Sequence, residues 1–253
     1  MDILLLKLVA TPLLILAASL AGRRWGESVS GWFVGLPLTS APVVFFLALE
    51  QGSGFAASAA AGCLAGAAAE AGFSLAYATA ARHAGWPRAL AAGTGGFAVA
   101  AILLGTAQLP LPPLVALVAL ALAGALRLMP LHGAAVLTLA AAPGWDIPAR
   151  MIVATVLVFS LTELAPLLGA QLSGLAATYP VFAAVLAAFA HHARGSAAAT
   201  GVLRGLLVGL FGFVGFFAVL AATIGRLGIA LSFAAATALA FAIQGMTITV
   251  LRR

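Results

Sequence analysis

Charge is scarce in this chain, because Asp, Glu, Lys and Arg make up only 7% of its 253 residues while hydrophobic residues make up 64%. A soluble domain carries roughly 25% charged and about 45–50% apolar residues. So few charges cannot cover a surface exposed to water, which excludes a soluble globular protein and predicts a polytopic membrane protein. The net charge of +6 lies mostly at segment ends, where it orients helices, and it does not indicate nucleic-acid binding.

Cysteine is equally scarce, since Cys63 is the only one, and an internal disulfide is therefore excluded. Cys63 lies in a run of small apolar residues and is interpreted as a core residue. The sequence also lacks the zinc-binding HExxH pattern, paired aspartates, the Gly-x-Ser-x-Gly pattern and a P-loop. We therefore predict no catalytic residue, no metal site, no cofactor and no ATP-driven mechanism.

Long hydrophobic runs, by contrast, fill the chain. A spanning helix needs about 20 apolar residues, and nine segments approach or exceed that length: 3–21, 32–50, 54–82, 88–108, 111–129, 148–169, 174–191, 196–224 and 226–250. The first run is interpreted as a span rather than a signal peptide, because no cleavage pattern follows it. The predicted fold class is an all-α polytopic membrane protein with about nine transmembrane helices.

Positive charges orient these helices. If the N-terminus lies outside, the C-terminus and most of the basic residues lie on the cytoplasmic side. These basic residues are Arg23, Arg24, Arg82, Arg88, Arg127, Arg150, Arg194, Arg252 and Arg253. Lys7 and Arg226 lie on the other side. Residues 130–146 leave an alternative, because a span there would give ten helices and parallel repeats. We favour nine helices in a bacterial inner membrane, with this short segment at the interface. Glu27 and Asp146 are interpreted as interface or loop charges, and His191 and His192 as loop residues.

The chain contains a similar unit twice. When the halves are aligned so that Gly35 meets Gly174, Gly35-Leu36-Pro37 to Pro42 resembles Gly174-Leu175 to Pro180, and Gly62 to Gly66 resembles Gly201 to Gly205. The predicted organisation is a first four-helix repeat (1–110), a linking helix with an interfacial segment (111–146) and a second four-helix repeat (147–253). One linking helix inverts the second copy. Inverted-topology repeats are typical of secondary transporters, whose substrate site lies between the repeats.

The start of the second predicted helix is the first candidate site. Pro37 and Pro42 lack an amide donor and disfavour helix in the residue before them. A broken helix in each copy would present hydroxyls and backbone amides to a polar substrate, and the helix N-terminus would favour an anionic group. The alternative is an ordinary helix start with an N-cap and an early proline. The predicted substrate-binding residues at the two breaks are Thr39, Ser40, Pro42, Thr178, Tyr179 and Pro180.

Three isolated charges lie within apolar runs. Glu70 and Glu163 are interpreted as coupling or proton sites, because an intramembrane carboxyl is costly unless it has a function or a partner. Arg204 is interpreted as a substrate-binding counter-ion. The alternatives are a structural ion pair between Glu70 and Arg204, and a position near the outer interface for Glu163.

The helix breaks resemble those of GlpM-type small bacterial membrane proteins. Those proteins have four helices and a Gly-Leu-x-Pro-x-x-Pro-like entry to the second, followed by a glycine after that helix. Gly35 to Pro42 with Gly52, and Gly174 to Pro180 with Gly195, are similar to that pattern, although the second copy lacks the first proline. The resemblance implies a duplicated and fused version of a unit that otherwise pairs as a dimer.

These observations favour a secondary transporter or exporter of a small polar solute or amphiphile, anionic ones included, with proton coupling through Glu70 and Glu163. The expected partners are membrane lipid and a small-molecule substrate, with a homodimer left open. Two alternatives belong to other classes: a protein that translocates or scrambles lipid, and a membrane scaffold subunit without transport activity.

Overall fold

The computed structural model describes residues 3–37, 40–107, 109–130, 145–164 and 179–251. All secondary structure in these ranges is helical. The helices there are α1 (Ile3–Trp25), α2 (Glu27–Val34), α3 (Ser40–Gln51), α4 (Ser53–Ala80), α5 (Trp86–Ala107), α6 (Leu111–Leu128), α7 (Asp146–Leu164), α8 (Val181–Arg194) and α9 (Ser196–Leu251). Four of them, α4, α5, α6 and α9, are long and apolar enough to cross a membrane. The predicted all-α fold with membrane-length helices is thereby confirmed.

Two predicted spans differ from the helices observed. The segment 32–50 is not one span, because the chain leaves the helix after Val34 and re-enters it at Ser40. Gly35 and Pro37 lie in this break, where proline removes a donor and restricts its predecessor. In the predicted segment 174–191 the described part begins at Tyr179, and its helix is α8, which has 14 residues and ends at Arg194. Because a helix rises about 1.5 Å per residue, neither α3 nor α8 reaches across a bilayer.

A single glycine joins each of these short helices to a long one. Gly52 lies between α3 and α4 with φ 86° and ψ 170°, and Gly195 lies between α8 and α9 with φ 85° and ψ −179°. This backbone region is essentially restricted to glycine. Each glycine therefore makes a sharp bend without a loop, and the short helix enters the long one directly.

The last helix is itself interrupted. Gly228 has the non-helical angles φ 73° and ψ 177°, so α9 consists of a first arm (196–227) and a second arm (229–251). The arms fold back on each other, because a Cβ on Gly215 would contact Ile243 and a Cβ on Gly212 would approach Gln244 Cγ at 2.8 Å. The first arm and α4 form most of the core, in which their largest buried side chains include Phe73, Tyr77, Leu203, Leu207 and Phe217.

Helix α2 packs on the first arm of α9 through glycines. A Cβ on Gly31 would overlap the carbonyl oxygen of Val202, and one on Gly205 would overlap that of Ser28. Further along, a Cβ on Gly209 would lie 2.5 Å from the Trp32 carbonyl oxygen. Small residues permit this backbone-to-backbone approach, which is how membrane helices gain packing energy without a hydrophobic driving force.

Candidate functional site

Glu70 lies on the inward side of α4. Phe73 and Tyr77, which follow it on the same side, are fully buried, whereas Thr79, about half a turn round, is exposed. Glu70 is nevertheless partly exposed. Within the described ranges its carboxyl has no hydrogen bond or ion pair. A charged carboxylate at a membrane helix centre costs about 3 kcal/mol, so this unpaired group is a candidate functional residue.

Ser74 follows Glu70 on the same side of α4, one turn later. It is fully buried, and its hydroxyl has no hydrogen-bond partner in the described part of the chain. A buried, unsatisfied polar group costs about 1–3 kcal/mol and calls for an explanation. A serine or threonine can satisfy itself by bonding to the carbonyl one turn earlier, as Thr79 does with Leu75 at 2.8 Å, but Ser74 does not.

Tyr77 continues this side of α4 and connects it to α8. Its hydroxyl lies 3.3 Å from Nδ1 of His191, and the two rings meet edge-on with centroids 6.0 Å apart. His191 is partly exposed and lies in the last turn of α8, so its interpretation as a loop residue is wrong. We name the set Glu70, Ser74, Tyr77 and His191 the polar stripe. The polar stripe runs from Glu70 on α4 to the partly exposed imidazole of His191 on α8.

Tyr179 is the predicted substrate residue that lies closest to the polar stripe. Its hydroxyl is 2.9 Å from Thr94 Oγ1 on α5. Its ring packs edge-on against Phe73 and Phe97, at centroid distances of 6.0 and 5.5 Å. Pro180 is buried and precedes the first residue of α8. Tyr179, just before α8, and Thr94, on α5, therefore form a pair of hydroxyls beside two aromatic rings. This pair lies next to the side of α4 that carries Glu70.

The other predicted residues are dispersed. Ser40 is the first residue of α3 and is partly exposed. Pro42 and Glu163 belong to α3 and α7, but their side chains lie outside the described part of the structure. Thr39 and Thr178 lie outside the described residues, as does most of the predicted interfacial segment 130–146. Of the predicted substrate residues, Tyr179 is the one whose ring packs on the side of α4 that carries Glu70, through Phe73.

Arg204 has a partner other than Glu70. Its Nη1 donates a hydrogen bond to the carbonyl oxygen of Leu126, at 3.0 Å, in the last turn of α6. The last carbonyls of a helix lack partners within the helix and attract positive charge. In the described structure Arg204 therefore caps α6, and the predicted alternative of an ion pair with Glu70 is not formed.

A cluster of five charges, three of them buried, lies where α1, α2, α7 and α8 meet. Arg194, at the end of α8, forms an ion pair with Glu27, at the start of α2. Asp146, the first residue of α7, pairs with Arg150 at 3.1 Å and with Arg23 of α1 at 3.4 Å. We name these five residues the charge cluster. Glu27 and Asp146 are only 8% and 5% exposed and are the first residues of α2 and α7, so the part of their interpretation that placed them in loops is wrong.

The charge cluster is continuous. The Arg150 guanidinium is 3% exposed, lies within electrostatic range of Glu27 and Arg194, and stacks on the Phe189 ring at 5.4 Å. Glu27 is at the N-terminus of a helix and Arg194 is at the C-terminus of another. Each charge is therefore opposite in sign to the partial charge of the helix end beside it, and the helix dipole stabilises it. The sequence feature that could have indicated the pair Glu27 and Arg194 is a glycine next to each charge. Gly26 precedes Glu27 and Gly195 follows Arg194, and both glycines have positive φ.

Neither the described residues nor comparison with known proteins supplies a ligand. Among the residues that the structure describes, no group of three His, Cys, Asp or Glu side chains could hold a metal ion. The chain matches no protein-family model, no curated protein and no solved structure.

Proposed function

We propose that this protein is a secondary transporter of a small polar solute, built from two inverted repeats, with Glu70 carrying a coupling proton. The observation that supports this most is a pair of matching helical units. In the first half α3, Gly52, α4 and α5 follow one another, and in the second α8, Gly195 and the two arms of α9 do. Inverted units of this kind form the framework of many secondary transporters.

The match extends to single contacts. When Gly52 is aligned with Gly195, α5 corresponds to the second arm of α9. A Cβ on Gly72 would contact Gly96 and Ala100 of α5. A Cβ on the corresponding Gly215 would contact the corresponding residues, Leu239 and Ile243. The helix bounds and these contacts favour this alignment over the one that pairs Gly35 with Gly174. The two alignments differ by about one helical turn.

The contacts of the short helices support inversion. Tyr77, near the C-terminal end of α4, meets His191, just before the first arm of α9 begins. Phe45 on α3, just before α4 begins, meets Phe233, just after that arm ends. The start of each long helix therefore lies beside the end of the other. Two long helices that run in opposite directions are what an inverted pair requires.

The charge cluster supports nine spans rather than ten. It brings together Arg23, Arg150 and Arg194 through two carboxylates. A tenth helix would put Arg194 on the opposite side of the membrane from Arg23. We therefore retain nine crossings of a bacterial inner membrane, with the N-terminus outside and this cluster on the cytoplasmic side, and the second and seventh crossings need more of the chain than α3 or α8 alone.

The proposed substrate site lies between the side of α4 that carries Glu70 and the start of α8. The Tyr179 and Thr94 hydroxyls offer hydrogen bonds, and the buried rings of Phe73 and Phe97 hold Tyr179 in place. A small polar solute or amphiphile fits this combination. The position of Glu70 in the second copy is taken by Phe213, so the proposed proton site belongs to one repeat only.

Labelling of single cysteines tests the inversion. In a Cys63→Ala background, Ser53→Cys and Ser196→Cys place a thiol at the first residue of each long helix, at equivalent positions of the two repeats. We expect a membrane-impermeant maleimide to reach Ser53→Cys and Ser196→Cys from opposite sides. Labelling of both from one side would refute the inverted repeat. Gly52 and Gly195 are avoided, because their positive φ would strain a cysteine.

Proton flux in proteoliposomes tests the function. The vesicles contain a trapped pH dye and are offered, one at a time, amino acids, organic acids, sugars and phosphate esters. We expect at least one solute class to drive proton movement with the native protein and not with Glu70→Gln. Glu50→Gln, at the end of α3, is the control and retains the flux. Because Arg204 is bound to Leu126, Glu70→Gln should also leave the fold intact.

The same vesicles separate the two alternative functions. Movement of a fluorescent lipid between leaflets in both the native protein and Glu70→Gln, without solute-driven proton flux, would favour lipid translocation. No flux and no lipid movement would favour a scaffold subunit. Either result would refute the transporter.

A further inference from the structure

The polar stripe contains two features that its packing does not explain. Ser74 is fully buried without a partner in the described residues, although the carbonyl of residue 70 lies one turn before it. The Tyr77 hydroxyl, in a buried aromatic cluster, is directed at the imidazole of a partly exposed histidine. Both lie on the side of α4 that carries Glu70, at the spacing that places residues on one helix face.

We propose that the polar stripe is the route by which protons reach Glu70, entering at His191 and passing Tyr77 and Ser74. This proposal rests on the proposed function, in which Glu70 is the coupling site. It adds the entry point and the order of the groups. It also explains why the Ser74 hydroxyl has no fixed partner, since a group that exchanges protons with both neighbours must turn between them.

Each transfer conserves charge. The His191 imidazolium gives its Nδ1 proton to the Tyr77 oxygen, 3.3 Å away, and becomes neutral imidazole. Tyr77 releases its own proton towards Ser74, which accepts it and releases its own towards the Glu70 carboxylate, which becomes a carboxylic acid. Both hydroxyls end with one proton each. The Tyr77–Ser74 and Ser74–Glu70 gaps exceed direct hydrogen-bond distance in this conformation, so a side-chain rotation or one water closes each.

The surroundings limit competing routes. Helices around α4 carry the following titratable or charged side chains: Glu50 on α3, Arg88 on α5, Arg127 on α6, His191, His192 and Arg194 on α8, Arg204 and Arg226 on α9, and Tyr179 before α8. Arg194 is paired with Glu27, and Arg204 donates to Leu126. The Tyr179 hydroxyl bonds to Thr94, which does not titrate. His191 is the member of this set that has a hydrogen bond to the α4 stripe.

Time-resolved infrared spectroscopy tests the route without a known substrate. The protein is reconstituted in liposomes, and the carboxyl band of Glu70 is identified by its loss in Glu70→Gln. A pH jump is applied and the change in that band is followed. Tyr77→Phe keeps the ring and its packing, and Ser74→Ala removes only the unpartnered hydroxyl. Thr79→Val is the matched control, because it removes a hydroxyl from the opposite, exposed side of α4.

We expect Tyr77→Phe and Ser74→Ala each to slow the response of the Glu70 band about a hundredfold, and Thr79→Val to change it by less than about twofold. A native response rate in both stripe variants would overturn the route while leaving Glu70 as a proton site. A Glu70 band that does not respond to pH in the native protein would overturn both the route and the proton coupling of the proposed function.

Discussion

Replacement of Gly205 by alanine tests the close packing of α2 on α9. The added Cβ would overlap the carbonyl oxygen of Ser28. That oxygen belongs to the backbone of α2, so it cannot rotate away as a side chain could, and the two helices must separate. Overpacking costs about 1–3 kcal/mol and occasionally more, while alanine regains up to about 1 kcal/mol of helix propensity over glycine.

Gly201→Ala is the matched control, one turn earlier on the same helix. Its Cβ would lie 3.5 Å from Glu27 Cβ and 3.6 Å from Ser28 Oγ, which is ordinary van der Waals contact. The substitution therefore keeps the gain in propensity without the overlap. We expect Gly201→Ala to be neutral or stabilising, and about 2 kcal/mol more stable than Gly205→Ala.

Thermal unfolding in detergent measures the difference. A change of about 1 kcal/mol corresponds to about 2–4 °C in Tm for a chain of about 150–250 residues, so the two variants should differ by about 4–8 °C. Gly31→Ala, which would overlap the Val202 carbonyl, should destabilise similarly. The double variant with Gly205→Ala should cost less than the sum, because one helix separation relieves both overlaps. Equal Tm values for Gly205→Ala and Gly201→Ala would refute the proposed packing.

Three further predictions concern other contacts. Arg194→Met leaves Glu27 buried without its partner and should lower stability by about 3 kcal/mol; chemical unfolding should show partial recovery when Glu27→Gln is added. Tyr179→Phe removes a hydrogen bond to α5 and should cost no more than about 1.5 kcal/mol, so a larger loss of Tm would contradict the geometry. Gly195→Ala forces a side chain into positive φ and should cost about 1–3 kcal/mol, whereas Gly54→Ala, with no neighbour within 4 Å, should not.

The sequence predicted what depends on local composition. The uniform apolar runs of α4, α5 and α6 fixed their bounds to within a few residues, because a helix in lipid satisfies its own backbone groups along its whole length. Gly35 and Pro37 indicated the break after α2, but hydropathy alone favoured one continuous span there. Hydropathy cannot reveal that two of the predicted spans contain a short helix that is joined to a long one by a single glycine.

The site was predicted in part. Glu70 was recognisable because an isolated carboxyl in an apolar run is costly wherever the helix packs. Ser74 and Tyr77 were not, because a serine and a tyrosine in such a run carry no signal until their side of the helix is known. The charge cluster was missed because Glu27 and Arg194 lie in opposite halves of the sequence. A local sequence pattern cannot show that tertiary packing brings two such residues together.

The glycine contact between α2 and α9 also constrains how the chain is made. Gly31 leaves the ribosome long before Val202, the residue it packs against, because most of the chain lies between them. At about 5–20 residues per second, that interval is about 10–30 seconds. Throughout it, the glycine side of α2 has no helix to cover it and faces lipid or the insertion machinery. The first half of this protein therefore completes its packing only after the second half has been synthesised. An interruption of translation between them would leave the glycine surface of α2 uncovered in the membrane.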